Sequence, residues 1–495
     1  MDIATRLRQL ATAQGARIAL RCGAAAMSYE ALCTSSGLLA QALSRRGIGR
    51  GRAFAVLCEN SIELLQLYYA AARLGAVLVP LNPSLSAREV AYIADHIESA
   101  VLLHDRALEK VAAAALPDGR RAMLSNLFDD LGECAARPAE EDHSARDFLV
   151  IYTSGSTGVP KAVVFDQAGE IAGNDSLARL WNIGPDDITL VALPLGFLYG
   201  LSTAAATGIQ AGGEVVVLPR FHPGGVLKAI VEARITVYHG VPTMFAMMLD
   251  YAEQQGLDVD LSPLRLLISA GAPLSEELRN RFESRFGKRI DDYYALSEAR
   301  PIFGRHWGEA EPPRGAIGKA APGVEVRIVD GEGGDLGPGE AGEIVVRAPA
   351  MLKRYHGEEA LTRQAVRNGW FRTGDLGRCD EEGHYFLIGR IKDIIIRGGV
   401  NIAPAELEEV LMRHPAVRAA AVIGVGDPTF GEVPVAYVVA RLEAPGADEL
   451  QSFCAGQLPQ YKVPTAFVFL PSLPLGLSGK VDKKALSRRW TEARA

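Results

Sequence analysis

The sequence predicts an α/β protein with a large N-terminal domain of βαβ subdomains, a small β subdomain attached to it, and a small α+β C-terminal domain. Three observations carry this. Short apolar strands alternate with amphipathic helices through the first three hundred or so residues, the rhythm of a parallel sheet. Near residue 315 the texture changes to strands joined by Gly-rich turns, as in "GVEVRIVDGEGGDLGPGEAGEIVVRAP", which reads as antiparallel β. After "IGRIKDIIIRGG" a compact tail mixes helix and strand. A chain of 495 residues exceeds one ordinary core, so several subdomains are expected.

Taken in order, "FAVLCEN" is a buried strand and "SIELLQLYYAAARLG" a helix with apolar spacing of three and four, ending at Gly75. "AVLVPLNP" is the next strand, stopped by its prolines. "CAARPAEEDHSAR" is polar and reads as a surface connector. The pattern then repeats: "FLVIYT", "KAVVF", "GEVVVLP", "ITVYHGVP" and "LRLLISAG" are strand candidates. In the tail, "APAELEEVLMRHP" is helical and "AAVIGV" and "VPVAYVVA" are strands. No repeat of solenoid period is present.

Composition narrows the function class. Hydrophobic residues make up 48% and charged residues 22%, the balance of a globular enzyme. A net charge of -7 argues against nucleic-acid binding, which needs clustered Lys and Arg. The six cysteines are scattered without C-x-x-C pairs, so neither a zinc site nor a disulfide framework is indicated. Reduced thiols, an N-terminus without an apolar leader and the absence of a membrane-length apolar run lead to an expected cytoplasmic location without membrane insertion.

The chemistry begins at "IYTSGSTGVPKAVV". A loop rich in Gly, Ser and Thr curls so that backbone N–H groups converge, and hydroxyls and a lysine strengthen the resulting anion site. The spacing of Gly155, Gly158 and Lys161, with no Ser or Thr after the lysine, departs from the usual P-loop. Alone, the loop is compatible with a flexible turn.

Further motifs follow in order: "YYALSE" (293–298), "GWFRTGD" (369–375), "GRIKD" (389–393) and "LSGKVDKKAL" (477–486). With "TSGSTGVPK" (153–161) they resemble the adenylate-forming superfamily of acyl-CoA synthetases, aryl-CoA ligases, luciferases and adenylation domains, over nearly the whole chain. The resemblance implies ATP-dependent activation of an aliphatic or aryl carboxylic acid as acyl-AMP, then thioester formation with coenzyme A. The alternative is a freestanding adenylating enzyme that loads the phosphopantetheine of a carrier protein; a catalytically silent nucleotide binder is a third reading. Carried over by motif, Thr153, Ser154, Gly155, Ser156, Thr157, Gly158 and Lys161 would wrap the β- and γ-phosphates of ATP. Gly271 and Ala272 would present backbone to the adenine edge, and Tyr294 would lie against the ring. Ser297 would touch the α-phosphate, and Glu298 would hold Mg²⁺. Asp375 and Arg390 would meet the ribose. Lys480 would reach the oxygens joining carboxylate and α-phosphate. Residues 1–391 would form the N-terminal domain and 392–495 a mobile C-terminal domain, hinged at Lys392, whose Gly398 and Gly399 approach the thiol's tunnel. Each residue alone also fits a plain structural role: Glu298 a solvated carboxylate, Asp375 a turn former, Gly398 and Gly399 a hairpin turn, Lys480 one of a solvated charge run.

Departures at four positions matter. Phe197 stands where the family usually carries histidine, which dries the acyl site and leans toward carrier loading. Leu198 replaces the aspartate of amino-acid activators, so an ammonium would be buried unpaired. Ala295 stands where glycine is usual, and Leu475 where a basic residue is. The acyl pocket is expected to draw on Phe197, Tyr199, His239, Val241, Met244, Leu296 and Ile302. His239 reads equally well as a satisfied core histidine, and Arg300 as a surface salt bridge or, less readily, as partner of a second substrate carboxylate.

Overall fold

The structure, a computed structural model, describes residues 1–129, 131, 142–153, 160–441, 444–475 and 481–493. Two large sheets carry the N-terminal region. One has seven strands, with Asp147–Thr153, Val77–Leu81, Ala53–Leu57, Leu102–His104 and Arg121–Met123 running parallel across its centre and far edge. The other has ten, including the parallel run Asp291–Leu296, Leu266–Ser269, Val237–Gly240, Ile188–Val191, Glu214–Val217 and Ile18–Cys22.

The main apolar core takes residues from both sheets, among them Phe54, Leu78 and Phe148 from one and Leu20 and Val215 from the other. The helices Tyr29–Arg45 and Ile62–Leu74 contribute to the same core. Ile62–Leu74 is therefore buried nearly all round, as its alanine and leucine content requires. Ser61 caps it through Leu64 N at 3.3 Å. Gly75 ends it in the left-handed region, where a Cβ would strike the His143 ring.

One strand differs from the sequence expectation. Pro80 lies inside Val77–Leu81, opposite Val56, rather than terminating it. A proline removes a ladder donor. It is accommodated because pairing with Asp147–Thr153 comprises a single register pair, Leu78 with Leu149.

The change of texture near 315 corresponds to a five-stranded antiparallel sheet built from Glu325–Val329, Gly342–Arg347, Val366–Arg367, Trp370–Cys379 and Tyr385–Arg390. The tail forms a further five-stranded sheet with its own core around Ile395, Leu407, Val422 and Val438. Arg441 of the tail pairs with Glu277 of the large region at 2.8 Å. Among the described residues no helix is long and apolar enough to cross a membrane.

Candidate active site

Strand Asp147–Thr153 and strand Lys161–Asp166 form an antiparallel hairpin whose last pair is Thr153 with Lys161. The Ser/Thr/Gly loop therefore joins two strands of a hairpin, whereas a P-loop joins a strand to a helix. Ser154, Gly155, Ser156, Thr157 and Gly158 lie outside the described residues, and so does Lys480. Thr153 and Lys161, the two ends of the loop, are half-buried.

Lys161 Nζ stands 5.3 Å from the centre of the Tyr355 ring. The Tyr355 hydroxyl donates to Glu298 Oε1 at 2.9 Å. Glu298 occupies the tight turn between Asp291–Leu296 and Ala299–Gly304, and its carbonyl accepts from Leu352 N at 2.8 Å. Burial, followed by the nearby Glu298 charge, pushes the Tyr355 phenol far above its ordinary value, so it remains a donor. Lysine, phenol and carboxylate thus meet from three segments. Ser297, Leu296 and Ala295, all half-buried, share the same turn.

A second group lies on the antiparallel sheet. Asp375 is 2% exposed. The Tyr294 hydroxyl donates to its Oδ2 at 2.5 Å, and Arg390 Nε lies 2.6 Å from its Oδ1. Asp375 and Arg390 are register partners across a strand pair, which explains why motifs separated in sequence converge. The Tyr294 ring stacks on Phe303 at 5.4 Å, and Phe303 on Tyr385 at 4.1 Å. One face of Tyr294 is therefore already occupied, leaving its other face and edge for any base. Burial and the neighbouring Asp375 raise the Tyr294 phenol well above its ordinary value.

Gly271 and Ala272 are exposed at the end of strand Leu266–Ser269. Gly271 has φ +85°, and an added Cβ there would meet only Val241 at ordinary contact distance. The backbone conformation, not crowding, calls for glycine.

The acyl candidates separate. Phe197, Tyr199, Val241 and Leu296 are half-buried, and Met244 is buried in a core against which Tyr199 and Val241 pack. Ile302 is fully buried in the main core. Tyr199–Ala206 is a π-helix, a form frequent at functional sites. His239 is not a satisfied core histidine: it is 0% exposed and, among the described residues, neither ring nitrogen has a hydrogen-bond partner. Desolvation holds its pKa down to about 3.

Arg300 is not at the surface. It is 1% exposed and paired with the fully buried Glu170, and it donates to Asn174 Oδ1 at 3.0 Å. Ser202 of the π-helix and Tyr68 also donate to Glu170, at 2.5 and 3.2 Å. This network ties the Glu298 turn to the π-helix Tyr199–Ala206. Arg300 is thereby committed to an internal partner, because burial without one would be prohibitive.

In the tail, Lys392 is exposed in the short 3₁₀ turn Ile391–Asp393. Gly398 and Gly399 form the two-residue turn of the hairpin Ile395–Arg397 and Val400–Ile402, both at positive φ. The Arg397 guanidinium lies 5.0 Å from the Phe430 ring and donates to the Tyr461 carbonyl at 2.6 Å.

Sequence reasoning missed Tyr355 and Glu170. Tyr355 meets Glu298 across 57 positions from a two-residue strand without a motif. Glu170 sits in the first turn of the helix Gln167–Trp181, where a carboxylate ordinarily faces solvent. A magnesium ion fits the site's donor set: Mg²⁺ takes one or two carboxylates plus phosphate oxygens, and Glu298 supplies such a carboxylate beside Lys161. The described residues also group Asp380, Glu382 and His384, but Asp380 there ties a hairpin turn through His384 N at 2.7 Å.

Comparison with known proteins identifies the family. The AMP-binding enzyme family profile matches residues 7–356, and the AMP-binding enzyme C-terminal domain matches 406–480. The sulfoacetate–CoA ligase of Cupriavidus necator is 32% identical, covering 93% of this chain and 92% of its own. The feruloyl-CoA synthase of an Amycolatopsis species is 34% identical, covering 95% and 96%. ATP-bound MatB from Rhodopseudomonas palustris superposes with a TM-score of 0.91 at 29% identity, covering 100% of each chain. The two sequence relatives are named as CoA-thioester-forming enzymes, and the chain belongs to the AMP-binding enzyme family, within the adenylate-forming superfamily.

Proposed function

We propose that this protein activates a carboxylic acid with ATP as an acyl-adenylate and then transfers the acyl group to coenzyme A. The observation that carries the reading is the convergence of Lys161, Tyr355 and Glu298 with the Tyr294–Asp375–Arg390 group. Binding one nucleotide at several points requires such convergence; a fold alone does not.

A carboxylate is a poor electrophile, since it is anionic and its oxygen leaves badly. In the first step a carboxylate oxygen attacks the α-phosphorus, a P–O bond breaks and pyrophosphate leaves. In the second, the thiol sulfur attacks the acyl carbon, the C–O bond to AMP breaks and the thiol proton is released. Both steps move negative charge, so fixed cations and donors are needed. Lys161 and the loop from Thr153 would hold the outer phosphates. Glu298, oriented by Tyr355, would hold magnesium, which supplies charge neutralisation when bound. Asp375, fixed by Tyr294 and Arg390, would accept from the ribose hydroxyls. Ser297 would touch the α-phosphate, and Lys480 would serve the adenylation step. Lys392 would be the pivot between residues 1–391 and 392–495, with Gly398 and Gly399 serving the thiol's path.

Coenzyme A is favoured over a carrier protein because the relatives reported above transfer to coenzyme A. The test supplies an acid panel, ATP and Mg²⁺, with coenzyme A or holo-carrier protein added separately. AMP release stimulated by coenzyme A is the expected result. Stimulation by carrier alone would overturn the acceptor assignment, and absence of pyrophosphate exchange with every acid would overturn the activity.

A further inference from the structure

His239 closes strand Val237–Gly240 one residue before its end, and the neighbouring parallel strands end at Ser269 and Leu296. In a parallel sheet, ligands bind beyond these carboxyl ends. Gly271, Ala272 and Tyr294, the residues expected at the nucleotide, occupy the same ends. Anything lodged against His239 is thus at the acid's side of that crevice.

The His239 ring is packed among aromatic rings. Trp181 and Tyr199 meet its ring edge-on at centroid distances of 5.4 and 5.6 Å. Tyr293 stands 5.0 Å from Trp181 and 6.4 Å from Tyr199. The Tyr199 hydroxyl is engaged, donating to the Ile268 carbonyl at 3.1 Å. The Tyr293 hydroxyl, buried beside His239, has only the Thr203 side chain near it, without a well-formed hydrogen bond, and both nitrogens of His239 lack a partner among the described residues. A neutral imidazole offers one donor and one acceptor, and a phenol offers both. Leaving such groups buried and unpaired is costly, so their retention in one aromatic cluster points to a partner that arrives from outside. Arg300, the buried cation beside the Glu298 turn, is already neutralised by Glu170, so it is not available to a second acidic group on the substrate.

We propose, resting on the acid-activating function above, that His239 and Tyr293 form a neutral polar subsite for the far end of the acid. The substrate class is then an aromatic acid carrying an uncharged hydrogen-bonding substituent, such as a ring hydroxyl. A diacid, a sulfonated acid or a plain alkyl acid would leave this subsite mismatched.

The test compares hydroxylated aryl acids with their deoxy counterparts: 4-hydroxybenzoate with benzoate, 4-hydroxyphenylacetate with phenylacetate, and 4-hydroxycinnamate with cinnamate. Terephthalate and decanoate complete the panel. The readout is kcat/KM for ATP-dependent pyrophosphate release by the full-length protein. The hydroxylated member of at least one pair should be favoured by roughly 30-fold or more, since a site built to bind a hydroxyl rejects its absence strongly. His239→Leu should bring that ratio to within about 3-fold while leaving the KM for ATP unchanged, because the lost partner is the substituent's alone. Tyr293→Phe should reduce the ratio in part. The melting temperature of His239→Leu should not fall, since an unpaired buried polar group is replaced by an apolar one. Three results would overturn the proposal: no discrimination within any pair, discrimination that survives His239→Leu, or terephthalate or decanoate as best substrate. A lowered melting temperature with selectivity intact would assign His239 to an internal water or to packing, and also overturns it. Failure of every acid to release pyrophosphate is a different outcome, which rejects the acid-activating function itself.

Discussion

Tyr355→Phe isolates the contact that sequence reasoning missed. The substitution removes one oxygen and keeps a ring that is almost fully buried. The backbone bond from Tyr355 N to Thr362 Oγ1, 3.0 Å, is untouched. What disappears is the 2.9 Å donation to Glu298 Oε1. A hydrogen bond to a charged group contributes about 1.5–3 kcal/mol. Glu298 is only half-buried, so water replaces part of that loss and about 1–1.5 kcal/mol remains, roughly a 5- to 15-fold effect. Because Glu298 is assigned to magnesium, the loss should appear in the Mg²⁺ dependence of pyrophosphate release. The concentration of Mg²⁺ giving half-maximal rate should rise by that factor, with the KM for the acid nearly unchanged. Thermal melting should move by no more than a few degrees. An unaltered Mg²⁺ dependence, with or without a change in melting temperature, would refute the assignment of Tyr355 as the group that orients Glu298.

Arg300→Met should destabilise the fold by about 3–5 kcal/mol, because Glu170 is left charged and buried without its cation; combining it with Glu170→Gln should recover much of the loss in denaturant unfolding, and equal damage in single and double variants would contradict a paired role. His239, held down to about 3 by desolvation, binds its proton far more readily in the unfolded chain, near 6.5. Its contribution to stability is complete above about pH 6.5 and falls as pH drops from there toward 3, at about 1.4 kcal/mol per pH unit. His239→Leu should flatten that part of the stability profile relative to the parent protein, and parallel profiles would contradict the burial of a neutral imidazole. Lys480→Ala should cripple adenylation yet spare thioester formation from synthetic acyl-AMP, whereas equal loss in both steps would contradict alternation about Lys392.

Much of the fold was legible because period and punctuation are local. Ser61 and Gly75 bracket a helix whose spacing shows its burial, and Gly-rich turns announce the antiparallel sheet. Pro80 was misread because a proline's tolerance depends on which neighbouring ladder it would have served, a property of sheet order. Asp375, Arg390, Tyr294 and Glu298 were singled out through motif order, since each is unremarkable by itself, and the structure brings Tyr294, Asp375 and Arg390 into contact. Tyr355 and Glu170 were not, because their partners are set by tertiary contact alone. Arg300 shows the same limit from the other side: its position after the "SEA" turn suggested a surface or substrate partner, while its actual partner lies 130 positions earlier. His239 was expected at the pocket from sequence, but only the structure reveals that, among the described residues, both its nitrogens lack partners.

The measurement that bears most directly on the central claim follows oxygen. An active acid labelled with ¹⁸O in its carboxylate is turned over with ATP, Mg²⁺ and coenzyme A, and the products are weighed by mass spectrometry. Attack of the carboxylate on the α-phosphorus places one labelled oxygen in AMP and leaves pyrophosphate unlabelled. Label appearing in inorganic phosphate alongside ADP would mean attack at the γ-phosphorus, and the account would be wrong at its root.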